Sequence, residues 1–232
     1  MNKKKILSLT LILCVAAIMV VGGTLAYFTD TDNATNTFTM GNVDIDLWES
    51  DVEKDDTGDY QPIDDTKIDD GNDYEDVFPG QFISKDPTVT NEGSYDAYLR
   101  VTVEMPMGIE NIMAKYCDKD LETAFGMMFE DYDVDLWDLT NTVSMDGLFN
   151  GGKVKAILVF DYNGILEAGQ DVTLFTGINM PAEMTADDVT GMGLTSFEMP
   201  IKAYATQVKG FAADETKFVA SERDAAIAAS FN

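Results

Sequence analysis

The sequence predicts a mainly β protein, an antiparallel β-sandwich with a few short helices and one acidic loop, on three observations. Short runs in which apolar and polar residues alternate recur along the chain, as strands with one buried face require. Turn-forming residues such as Pro79-Gly80 separate those runs. Segments with helical spacing are few. The 232-residue length suits one domain once a leader is set aside, with enough surface to bury a core.

The first 26 residues read as an export signal. Lys3, Lys4 and Lys5 form a basic start, Ile6 to Val21 is apolar, and Gly22-Gly23-Thr24-Leu25-Ala26 supplies small residues for cleavage between Ala26 and Tyr27. The apolar stretch is shorter than the roughly 20 residues a spanning helix needs. Cys14 leaves with the leader, so Cys117 remains alone, excluding an intramolecular disulfide and fitting a small buried hydrophobe. Residues 27–232 are expected as a single sandwich domain, with 27–48 as its N-terminal strand segment and 49–76 as its acidic loop.

Within that first segment Phe38 and Met40 share one parity, while Val43, Ile45 and Leu47 share the other. A bulge or turn at Gly41-Asn42 restores a common apolar face, with Asp44 and Asp46 pointing away. Asp44 to Asp76 then carries 15 acids against Lys54 and Lys67. This composition predicts a solvated, mobile excursion. One functional reading is calcium binding, since that ion prefers carboxylate oxygens, but no stretch has the spacing of a calcium loop, so a solvated loop with no metal site and no cofactor is expected.

Pro79-Gly80 opens the next part as a turn, followed by a strand from Phe82 to Val89 and another over Ala97–Glu104. Ile109 to Phe129 has helical spacing. Asp131, Asp133 and Asp135 are expected on the wet face of a strand whose apolar residues are Val134, Leu136 and Leu139. Further strands are predicted over Val154–Phe160, Val172–Ile178 and Phe197–Val208. Thr185, followed by Asp187 and Asp188, reads as a helix start, and Ser221–Ser230 as a terminal helix. Ala168-Gly169-Gln170 echoes Pro79-Gly80-Gln81, a hint of two related halves.

Charge and composition limit function. The chain has 42 acidic residues, 15 basic residues and no histidine, for a net charge of −27. Removing the leader takes away three lysines and no acid, which deepens the charge to −30. Nucleic acid is excluded as a partner, because phosphate binding needs a basic face. The histidine-based zinc motifs and triads are excluded as well. No glycine-rich phosphate loop or nucleophile motif is present, Trp48 and Trp137 flank apolar strands, and the 13 methionines suit core filling. No catalytic, cofactor-binding or metal-ligating residue is expected.

Specific motifs point to a family. The junction Gly22-Gly23-Thr24-Leu25-Ala26-Tyr27-Phe28-Thr29-Asp30 resembles that of the TasA/camelysin family, as does the strand from Asn36 to Leu47. Phe78-Pro79-Gly80-Gln81 with Val89-Thr90-Asn91-Glu92-Gly93-Ser94 is similar to that family's turn and Asn-x-Gly corner, and Ile201 to Phe211 to a segment near its end. Met105 to Gly152 does not align. The resemblance implies a jelly-roll-like sandwich in a secreted protein of a Gram-positive bacterium, at the cell surface or in the biofilm matrix. Its leader would be cut by a SipW-type signal peptidase. It further implies a fibre built of copies of the chain, alongside other matrix or surface components. The strand carrying Phe38, Met40, Val43, Ile45 and Leu47 would enter the next subunit's sheet. The family's peptidase label is not carried over, since the chain has no imidazole to offer zinc. A monomeric exported binding module is the alternative.

Overall fold

The computed structural model describes residues 42–117, 120–144, 155–191 and 199–230. Ala26, Tyr27, Phe38 and Met40 lie outside the described residues. Two antiparallel strand pairs form the centre. Phe82–Ser84 (β4) and Thr88–Asn91 (β5) are successive parts of one kinked strand, and Asp171–Thr173 (β10) and Gly177–Asn179 (β11) are parts of another. Phe82 pairs with Asn179 and Ser84 with Gly177, while Thr88 pairs with Thr173 and Thr90 with Asp171. One register therefore runs through both pairs. It continues across the kinks, where Lys85 N–H reaches Thr176 O at 3.3 Å and Leu174 N–H reaches Pro87 O at 3.0 Å.

The echo between the two halves has a structural counterpart. Each kinked strand is preceded by a turn with glycine in the left-handed region, Gly80 at φ 82° and Gly169 at φ 81°. Gln81 N–H bonds Phe78 O, and Gln170 N–H bonds Glu167 O. The glutamine side-chain oxygens accept in turn from Phe78 N–H and Glu167 N–H. Ile45–Trp48 (β1) then lies beside β5, and Phe129–Glu130 (β7) beside β11.

The described residues are mostly β, in three mainly antiparallel sheets with a few short helices. The first has the order β1-β5-β10. The second adds Val52–Lys54 (β2) and Tyr60–Pro62 (β3) to give β2-β3-β4-β11-β7, with a parallel contact between β3 and β4. The third contains Ala97–Pro106 (β6), Trp137–Ser144 (β8), Lys155–Tyr162 (β9) and Ile201–Gln207 (β12), in the order β12-β6-β9-β8. Val101, Val103 and Met105 of β6 and Leu158 and Phe160 of β9 are fully buried. These alternating positions build the core, because the side chains of a strand point to opposite faces at successive residues.

Several elements differ from expectation. The helical stretch is two helices, Met107–Tyr116 (α1) and Leu121–Met128 (α2). Asp120 caps the second, accepting Thr123 N–H at 2.9 Å. Phe125 of α2 stacks on Phe129 with ring centroids 4.0 Å apart and meets Phe160 and Phe175, so α2 closes one side of the core. Asp131, Asp133 and Asp135 do not share a strand face. They form the turn between β7 and β8, in which Asp133 O accepts both Leu136 N–H and Trp137 N–H, and Asp131 has φ 56°. Val134 and Leu136 are exposed on that turn. The acidic stretch carries the β2–β3 hairpin, fixed by Tyr60, whose hydroxyl bonds the backbone of Glu75 and whose ring meets Tyr74 edge-on.

Ala186–Gly191 (α3) begins at Thr185 as the sequence predicts, and Ala220–Ser230 (α4) is the terminal helix. Its Arg223 is buried and donates to Asp138, Asn163 Oδ1 and Tyr162 O at the β8–β9 end, which holds α4, through its Ala226, against Tyr98 and Val208. Residues Gly41–Asn232 form one compact unit. No described helix is long and apolar enough to cross a membrane.

Candidate strand-docking site

Of the expected polymerisation strand, the described part is Val43, Ile45 and Leu47. All three are half-buried, and Ile45 and Leu47 pack on the core cluster, while Asp44 is exposed. The period-two pattern thus places the apolar residues of β1 inward. β1 occupies one edge of its sheet, with Ile45 opposite Asn91 and Trp48 opposite Thr88.

The corner after β5 receives the start of this strand. Gly93 N–H bonds Asp44 O, Ser94 N–H bonds Asn42 O, and Asn42 N–H bonds Ser94 Oγ, at 3.0–3.1 Å. A Cβ on Gly93 would stand 2.6 Å from Asn42 O and 2.7 Å from Asp44 N, so only glycine lets the two backbones approach this closely. Asn91, fully buried, organises the corner. Its Nδ2 donates to Tyr95 O and Leu166 O, its Oδ1 accepts Gly93 N–H, and its backbone bonds Gln170 O and Gly169 N–H.

The far end of β1 is held by charge. Lys85 Nζ lies 2.5 Å from Glu49 Oε1, with each side chain 9% exposed. Glu49 Oε2 is buried without a partner. Ser50 gives both its N–H and its hydroxyl to Asp86, and Glu49 exchanges two backbone bonds with Ile68. Trp48 Nε1 donates to Thr90 Oγ1, and Lys67 lies over the indole. Burial, with Glu49 and Asp86 nearby, pushes the Tyr74 phenol far above its usual range, which keeps it a neutral donor to Ser84 O. The sequence reading passed over the Lys85–Glu49 pair. Its signal was a single lysine between the uncharged run from Gln81 to Ser84 and Asp86.

The chain has no histidine. Cys117 is half-buried, and its thiol is pushed up by burial, away from the thiolate that binds zinc. Among the described residues no three histidine, cysteine, aspartate or glutamate side chains are grouped to hold an ion. Elsewhere, Asp188 is tied to Lys115, Thr185 and Tyr116, which together draw its carboxyl below the usual range and fasten α3 to α1.

Neither a curated protein nor a solved structure matches the chain. A family model described as Camelysin metallo-endopeptidase matches residues 2–129, which take in β1, the acidic hairpin and the Asn91–Gly93 corner. A resident zinc, which that description implies, does not fit the donors just described, and no hydrolytic step is assigned to them. The match spans more than half of the chain, and with the leader junction and corner it resembles, the chain belongs to the TasA/camelysin family.

Proposed function

We propose that the chain is a secreted structural subunit of a cell-surface or biofilm-matrix fibre, not an enzyme, assembling when the N-terminal strand of one copy pairs with the sheet of the next. The observation that carries it is the placement of the N-terminal strand. β1 is an edge strand set in a corner built for its backbone, and the chain ahead of it holds two further apolar residues, Phe38 and Met40, in alternating positions. Edge pairing of this kind takes affinity from main-chain bonds and register from alternate side chains. Export through a SipW-type leader cut at Ala26–Tyr27 supplies the free N-terminus. Other matrix or surface components are the expected further partners.

Electron microscopy of the chain from Tyr27 tests this reading. Regular filaments that vanish when residues 27–41 are removed support it, and single particles under every condition count against it. The truncation stops at Gly41 because a longer one would remove β1 from the core. A second reading, a monomeric exported binding module, is favoured by the pairing of β1 with β5 in its own chain.

A further inference from the structure

Six strands border the described sheets, and five of them are unsuited to receive another. β10 uses Thr173 O to accept the Trp137 indole at 3.1 Å. β2 has three residues and lies between Asp51 and Asp55, and β7 has two. β8 shifts register between Leu139 and Asn141, a bulge of the kind that turns an edge away. β1 has one end closed by Ile68. β12 has seven residues and one continuous register against β6.

The direction of its free groups follows from its bonds. Pro200 O accepts Glu104 N–H and Val208 N–H bonds Asp96 O, so the even-numbered residues between them face β6. The N–H and C=O groups of Ile201, Ala203, Ala205 and Gln207 face outward. Among the described residues no backbone hydrogen bond reaches them. Behind this edge the core is incompletely covered: Ile201, Ala203 and Ala205 of β12 and Ile45 and Leu47 of β1, which packs across from it, are all half-buried apolar residues on the core cluster. The related halves lead to the same place. β6 follows β5 and carries β9 on its far side, whereas β12 follows β11 and, among the described residues, carries no strand there.

Charge selects the occupant. β12 is the one bordering strand without an acidic residue, and residues 199–213 hold two lysines and no acid. Residues 33–43, ahead of β1, form an uncharged run of eleven in this strongly acidic chain. Resting on the strand-donation reading above, we infer that the outer edge of β12 is the receiving edge, and that residues 37–40 of a second copy pair with it. Phe38 and Met40 would enter the seam over Ala203 and Ala205, whose small side chains leave room for them. Like-charge repulsion, which opposes pairing at every other edge, is absent between these two segments.

Amide exchange and one proline variant test the assignment in the chain from Tyr27. In filaments, the amides of Ala203, Ala205 and Gln207 should become protected at least tenfold relative to the monomer, while those of Lys202, Tyr204 and Thr206 are protected in both. Ala203→Pro removes only an outward N–H, which an edge strand tolerates. The variant should stay folded, fail to form filaments alone and shorten those of the unsubstituted chain when mixed with it. Filaments of Ala203→Pro, or free exchange at Ala203 and Ala205 within filaments, would overturn the edge while leaving strand donation standing. Protection of these amides in dilute monomer, lost on removing residues 27–41, would overturn the second copy as occupant. Absence of filaments from the unsubstituted chain would remove both readings. Should Ala203→Pro fail to fold, the exchange pattern of the unsubstituted chain decides.

Discussion

Single residues at the β1 site have unequal consequences. Gly93→Ala puts a methyl group against two backbone atoms that have no rotamer to yield, so the start of β1 must lift. The expected loss is about 2 kcal/mol in urea unfolding, within the usual range for overpacking, with faster amide exchange at Asp44. Glu49→Gln leaves Lys85 charged and buried, and should cost about 3–5 kcal/mol. The double variant Glu49→Met/Lys85→Met should be far milder, since the pair then leaves no unpaired charge; equal losses in the single and double variants would show that the ion pair is not what matters. At Asp188 the carboxyl pKa is lowered in the folded chain. Its contribution is therefore present above the unfolded carboxylate pKa and lost as pH falls through the folded one. Carbon-13 titration of Asp188 should move below that of exposed aspartates, and Lys115→Met should return it toward them.

Element by element, legibility tracked how local the determinants are. β6 and β12 were legible because each alternates over seven or more residues, and β9 because Ala156 to Phe160 is a continuous apolar run. The starts of α3 and α4 were legible from Thr185 and from the alanine-rich end. The break between α1 and α2 was missed because the apolar spacing runs through it, although Asp120 with Thr123 three residues on was a readable cap. Asp131 to Asp135 alternates like a strand, yet Asp133 uses its backbone and side chain to close a turn, and local hydrogen bonding by aspartate overrode the pattern. The acidic hairpin was unreadable because Tyr60 and Tyr74, distant in sequence from one another, order it together. Arg223 ties α4 to the β8–β9 end. Arg223→Ala should release the helix from the β8–β9 end, cost about 2 kcal/mol and speed exchange at Tyr98; unchanged exchange there would show that apolar contacts alone hold α4.

The molecule as a whole is governed by its charge. Copies of a chain with a net charge of −27 repel each other within a Debye length, so association should be weak in low-salt neutral buffer. Calcium, or acid near the isoelectric point of 4.1, should promote it. Light scattering of the chain from Tyr27 checks this, and a response flat across calcium concentration and pH would remove charge from the account. The same surplus of carboxylates hid any candidate site in the sequence, because no subset of 42 acids stands out by composition.

The sequence by itself determined the fold class, the family, the inward face of β1 and the exclusion of histidine chemistry, because these follow from period, composition and short motifs. Tertiary structure alone decided the shared register of the two kinked strands, the fit of Asn42 and Asp44 over Gly93, the burial of Lys85 with Glu49 and the open edge of β12. Each of these joins segments far apart in the chain, and a pairing between distant strands is set by which backbones meet, which local pattern does not encode.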